Sequence, residues 1–143
     1  MGTLPVRRPQ LIYVICGYKN TGKTTALTGV VKLLAARGYK LAVIKHDGHD
    51  FEGDVPGTDS WRHMEAGAYA TAVFSPNRYL VHKKCEGTTA EDLMVMFPEA
   101  DIILIEGMKD SDYPKYYCTD AAASAEAVPE IADEIEKLYK TLI

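Results

Sequence analysis

Gly17-Tyr-Lys-Asn-Thr-Gly22-Lys23-Thr24 matches the pattern G-x-x-x-x-G-K-[ST] at every fixed position. The spacing has a chemical reason. Glycines at the two ends let the backbone wrap a diphosphate with several N–H groups pointing inward. A helix starting near Lys23 adds the positive end of its dipole. Lys23 then reaches and neutralises the β- and γ-phosphates, and the Thr24 hydroxyl is suited to ligate Mg2+. The candidate phosphate-binding residues are Gly17, Lys19, Asn20, Thr21, Gly22, Lys23, Thr24 and Thr25.

Such a loop belongs between a strand and a helix, and the flanking sequence supplies both. Leu11-Ile-Tyr-Val-Ile-Cys16 is a short apolar run rich in β-branched residues and reads as a buried strand, with Cys16 as plain core. From Lys23 to Arg37 the residues Leu27, Val30, Val31, Leu34 and Ala35 recur at helical spacing, and Gly38 stands where a helix-ending glycine belongs. Lys40-Leu-Ala-Val-Ile44 is a second buried strand, which completes a βαβ unit with a right-handed crossover.

A phosphate loop also needs an acidic arm for its metal. Asp101-Ile-Ile-Leu-Ile-Glu106 reads as a third buried strand that carries Glu106 to the C-terminal edge of the sheet, where ligands sit in open α/β folds. Glu106 is thus the candidate to support Mg2+ or an attacking water, beside Lys23 in the catalytic role. Asp101 starts the strand at the opposite edge and is an ordinary loop or cap residue. The second strand ends in Lys45-His46-Asp47-Gly48-His49-Asp50, followed by Asp54 and, on a short helix, Arg62. His46, Asp47, His49, Asp50, Asp54 and Arg62 form a candidate face toward substrate, cofactor or partner. The two histidines lack cysteines at zinc spacing, which argues against structural zinc.

Elsewhere the elements are shorter. Thr58-Asp59-Ser60 caps a helix through Glu65, stopped by Gly67. Tyr69 to Phe74 and Tyr79 to Lys84 read as strands around the turn Ser75-Pro-Asn77. Thr89-Ala-Glu-Asp92 fits a capping box opening a helix to Phe97. Pro129 opens a last helix with Ile131, Ile135, Leu138 and Leu142 in one apolar stripe. Alternating strands and helices predict an α/β, three-layer fold of the P-loop NTPase type, its mainly parallel sheet flanked by helices.

The 143 residues are 47% hydrophobic and 25% charged, as expected of a single ordered domain over 1–143, and no apolar run of membrane-spanning length occurs. Residues 1–50 hold 8 basic and 2 acidic side chains, residues 51–100 hold 4 and 8, and residues 101–143 hold 4 and 10. The basic N-terminal third suits a phosphate-bearing ligand. Nucleic acid is not indicated, because Arg7-Arg8 and Lys83-Lys84 are isolated pairs without interleaved aromatics. The N-terminus lacks the apolar stretch of a signal peptide, and three scattered cysteines form no disulfide framework, so cytoplasm is the expected compartment.

Beyond these readings, the chain resembles the molybdopterin-guanine dinucleotide biosynthesis protein B (MobB) family. Three segments carry the resemblance: the phosphate loop through Thr25; Val43-Ile-Lys-His-Asp-Gly-His-Asp-Phe51 with Asp54, Pro56-Gly57, Asp59-Ser60, Arg62-His63 and Ala66-Gly-Ala68; and Ile103-Leu-Ile-Glu-Gly-Met-Lys109 with Pro114-Lys115. The second is the family-specific one. The resemblance implies a GTP-binding homodimer with weak Mg2+-dependent GTP hydrolysis. It also implies assistance to the guanylyltransferase that attaches GMP to molybdopterin, with the molybdenum cofactor as a further candidate partner. Two departures stand out. Asp47-Gly48 replaces part of a histidine-rich cluster, and Tyr116-Tyr-Cys-Thr-Asp120 runs directly into alanine-rich Ala121 to Ala127 where the family has a further strand and a longer loop. No Asn-Lys-x-Asp motif selects guanine, and the residues themselves admit ATP. A small-molecule kinase is the alternative reading, weakened by the absence of lid arginines across residues 84–130; a nickel-enzyme metal-delivery GTPase lacks its His-rich tail or Cys-x-x-Cys.

Overall fold

The computed structural model describes residues 9–143, so the Arg7-Arg8 pair lies outside the described residues. These fall into two compact units. One joins the chain up to His46 with Thr89–Ile143, and the other is Asp47–Thr88.

The first unit is built on β1 (Leu11–Gly17), the strand that enters the phosphate loop. Its neighbours are β5 (Ile102–Glu106) on one side and β6 (Lys115–Cys118) on the other, and β2 (Leu41–Lys45) lies beyond β5. All of these pairings are parallel. Helix α1 (Lys23–Ala36) crosses from β1 to β2, so the expected βαβ unit is present with β5 inserted between its strands. Short-range pattern reveals which segments are strands, but a later strand can still claim the place beside the first.

The two-residue alternation of a strand divides the core. Leu11, Tyr13, Ile15, Ile102 and Leu104 point to one face, where they meet Leu27, Val30 and Leu34 of α1 and Ile131 and Ile135 of α5 (Val128–Lys140). Val14, Cys16, Ile103 and Ile105 point to the other, against Leu93 and Met94 of α3 (Ala90–Met94). This makes the expected three layers. Strand β5 is buried along its whole length, as a central parallel strand must be when both faces are covered. Each fully buried Ile or Leu contributes about 1.5–3 kcal/mol.

Helix ends follow their sequence signals. α1 stops at Arg37, and Gly38 takes φ +92 beyond it. Thr89 and Asp92 form the capping box of α3 in both directions, although that helix ends at Met94, short of Phe97. In α5 Ile131 and Ile135 are buried and Leu138 packs partly against them. Leu142 corrects the stripe: it lies beyond the helix and is exposed.

Two elements were not anticipated. Residues 107–114 lead from β5 to β6 without a helix, because β6 begins beside Val14, near the level at which β5 ends beside Ile15. A long crossover is unnecessary when the second strand starts where the first stops. After β6, Ala121–Glu126 forms α4, capped by the Asp120 carboxylate accepting from the Ala123 N–H at 2.9 Å.

In the second unit, Thr58 caps α2 (Asp59–Glu65) and precedes the antiparallel hairpin of β3 (Ala70–Ser75) and β4 (Arg78–Lys83), with Pro76 and Asn77 as its turn. Both elements fall where the sequence placed them, to within a residue.

Candidate functional site

The phosphate loop runs from Gly17, at the end of β1, to Gly22, which precedes α1. Its path needs glycine at both places. A Cβ on Gly17 would stand 2.4 Å from the Cys118 carbonyl oxygen, and one on Gly22 would stand 3.0 Å from Ala121 Cα. Between them Asn20 takes φ +62, a left-handed conformation that asparagine tolerates better than most residues. The Thr21 hydroxyl donates to the Tyr18 carbonyl at 2.6 Å and ties the loop to itself. Tyr18, Lys19 and Asn20 are exposed at its tip, while Lys23, Thr24 and Thr25 occupy the first turn of α1.

Outside support comes from α4. The Ser124 hydroxyl, fully buried, donates to the Thr21 carbonyl at 2.8 Å and lies 2.7 Å from the Asp120 carbonyl. Ser124 and Ala121 thus touch the loop, and sequence reasoning missed both. Their only signal was a run of small residues, Ala121-Ala-Ala-Ser-Ala125, which permits the close approach to Gly22 but has no apolar period.

Across the loop stands Glu106. It is 8% exposed, and its Oε1 accepts a hydrogen bond of 2.8 Å from the Thr24 hydroxyl, 82 residues away in sequence. The two side chains are oxygen donors of the hard kind that Mg2+ takes, together with water and phosphate oxygens. Asp101, at the other end of β5, is structural: its carboxylate accepts from the Lys40 backbone N–H at 2.8 Å and from the Tyr139 hydroxyl at 3.3 Å. Cys16 is buried in the core, and that burial raises its thiol pKa.

An open cavity of about 490 Å3 adjoins the first turn of α1. It extends from Thr24 and Thr25 past Thr28 to Lys32, with Ala125 and Val128 opposite.

The residues anticipated after β2 divide between the units. His46 belongs with the phosphate-loop unit, and its backbone N–H donates to the Glu106 carbonyl at 2.9 Å. Asp47, His49, Asp50, Asp54 and Arg62 belong to the second unit. Asp47 accepts from the His49 backbone N–H at 3.1 Å, and Arg62 is exposed on α2. Asp54 is committed locally. Its side chain, 6% exposed, meets His82 Nδ1 at 2.7 Å and accepts from the Ser60 hydroxyl at 3.2 Å. His82 carried no signal in the sequence. Among the described residues, no three His, Cys, Asp or Glu side chains gather as a metal site, and no helix is long and apolar enough to cross a membrane.

Comparison with known proteins adds a family. The family model described as molybdopterin guanine dinucleotide synthesis protein B (MobB) matches residues 12–138. A molybdopterin-guanine dinucleotide biosynthesis adapter protein of Haemophilus influenzae is 33% identical over 104 residues, which are 71% of this chain and 58% of that protein. The chain thus spans about three-fifths of that relative's length. A probable adapter protein of the same description from Bacillus subtilis is 31% identical over 127 residues, 87% of this chain and 73% of its own. Among solved structures, that of Bacillus subtilis MobB superposes with a TM-score of 0.66 at 30% identity, covering 82% of this chain and 72% of that one.

Proposed function

Because the chain belongs to the MobB family, we propose that it serves molybdopterin guanine dinucleotide biosynthesis as a nucleotide-binding adapter. The observation that carries this reading is the 2.8 Å hydrogen bond between the Thr24 hydroxyl and the Glu106 carboxylate. It joins the last residue of the phosphate-loop motif to a buried acid at the strand end where a metal would be held.

In this reading the backbone N–H groups of residues 19–24 cradle the phosphates of GTP and Lys23 neutralises them. Thr24 and Glu106 hold Mg2+, which when bound offsets negative charge on the phosphate oxygens. Weak Mg2+-dependent hydrolysis of GTP belongs to the same proposal. The partner is the guanylyltransferase that attaches GMP to molybdopterin. The 47–63 segment is a face offered to that enzyme or to the cofactor, and His46 is a separate candidate contact on the phosphate-loop unit. Cytoplasmic residence belongs to the same proposal and accords with three free cysteines.

A homodimer is also part of it. The hairpin supports this, because apolar side chains are exposed on both of its faces: Phe74 beside Tyr79 on one, Val73 beside Leu80 on the other. A two-stranded ribbon is marginal by itself in water and gains most from a second apolar surface.

Thermal unfolding with and without nucleotide tests the central claim. GTP with Mg2+ at 100 times its Kd stabilises a binding-competent protein by about 2.7 kcal/mol. Lys23→Ala should abolish that protection. Equal protection of the variant refutes the phosphate-loop assignment, and a parallel titration with ATP reads the base preference.

A further inference from the structure

Lys109 lies outside the pattern that defines the phosphate loop, yet the fold brings its ammonium group to the loop's rim. Its Nζ stands 4.8 Å from the centroid of the Tyr18 ring, and Tyr18 is the residue that follows Gly17. The Tyr18 ring is in turn edge-on to Tyr117 of β6, with centroids 6.3 Å apart and planes at 71°. Tyr18 and Lys109 are both exposed.

The segment that presents Lys109 is built to a definite shape. Directly after Glu106, Gly107 and Met108 take φ +105 and +56 in succession. A methionine adopts that conformation only where its surroundings impose it, and such residues concentrate at ligand sites. The Gly107 N–H donates to the Ile15 carbonyl at 3.0 Å. Lys115 of β6 closes the turn, its ammonium donating to the carbonyls of Lys109, at 2.8 Å, and of Ser111. One lysine therefore clamps the loop that presents another.

If α1 and Lys23 hold a nucleotide's phosphates, Thr24 and Glu106 would hold the Mg2+ that offsets the charge of the outer phosphates. The terminal phosphate then lies toward the strand end from which Gly107 departs. A cation resting on an exposed ring is held less strongly than one hydrogen-bonded to a phosphate, so an anion in reach draws the ammonium away. We propose that Lys109 is a second phosphate-binding residue, selective for the terminal phosphate of a nucleoside triphosphate and held over Tyr18 when that phosphate is absent. The proposal rests on the nucleotide-binding reading above and adds to it a means of distinguishing triphosphate from diphosphate.

Calorimetric titration with Mg2+ and either the β,γ-imido analogue of GTP or GDP tests it on the full chain. Lys109→Ala should weaken the triphosphate analogue by roughly 10- to 100-fold and leave GDP within about twofold of the unmodified protein. Lys109→Arg should restore most of the triphosphate affinity, and Lys23→Ala should weaken both ligands. Equal losses for both ligands in Lys109→Ala, or no loss for either, overturn the role of Lys109 while leaving the nucleotide site in place. If the unmodified protein binds neither ligand, both proposals fall.

Discussion

Tyr13 and Tyr39 fasten the sheet and the end of α1 to α5. The Tyr13 hydroxyl donates to Glu134 at 2.8 Å from a fully buried ring, and Tyr39 donates to Glu136 at 2.6 Å. Arg37 adds ion pairs to Asp133 and Glu136 at 2.9 and 3.3 Å. Burial, then the bond to Glu134, raises the Tyr13 pKa, while the bond to Glu136, then burial, pushes Tyr39 up to about 12. Both shifts favour the neutral phenol in the folded chain. Their stabilisation is complete below the unfolded tyrosine value of about 10 and is lost as pH rises through the folded values. Stability should therefore fall between pH 10 and about 12, and the fall should be shallower in Tyr39→Phe, as followed by urea unfolding across that range. At neutral pH Tyr13→Phe should cost about 1 kcal/mol for the lost hydrogen bond. An unchanged midpoint would show that Glu134 finds another partner.

Among the elements, α4 is short but holds the loop at two points. Its six residues press Ala121 against Gly22 and hold the Thr21 carbonyl through Ser124. Gly22 is both left-handed at φ +87 and crowded, so Gly22→Ala should destabilise by about 1–3 kcal/mol and displace α4. Calorimetric Tm measures the loss, and wild-type stability in this variant would refute the contact. The same helix marks where the sequence stops being readable. Residues 11–45 were legible because an apolar strand, a 3.6-residue period and a spaced motif agreed over a continuous stretch. Glu106 was legible because four apolar residues, Ile102 to Ile105, precede it. By contrast β6 has only Lys115-Tyr-Tyr-Cys118 to announce it, too short and too polar for a period, and α4 has alanines that favour a helix without choosing a face. The insertion of β5 between β1 and β2 is a long-range choice that no local pattern carries. Asp54 read as a ligand candidate because its partner His82 stands 28 residues away on another element.

For the whole molecule, the proposed association turns on the hairpin. Phe74, 86% exposed, and Leu80, 69% exposed, are costly for a monomer to present to water. Sedimentation should find a dimer, and Val73→Lys with Leu80→Lys should produce a monomer that still unfolds cooperatively; a wild-type monomer would refute the homodimer. The sheet order has another consequence, in time. β1 and β2 share no ladder, and both pair with β5, which follows them by more than fifty residues. A nascent chain emerging from the ribosome thus carries the whole glycine-lysine motif long before it carries the proposed phosphate site. Until the segment ending at Glu106 arrives, the motif has no strand beside it and Thr24 has no carboxylate. Early truncations would keep the signature without the proposed site, and the contacts that complete it are non-local ones, whose loop-closure entropy slows folding.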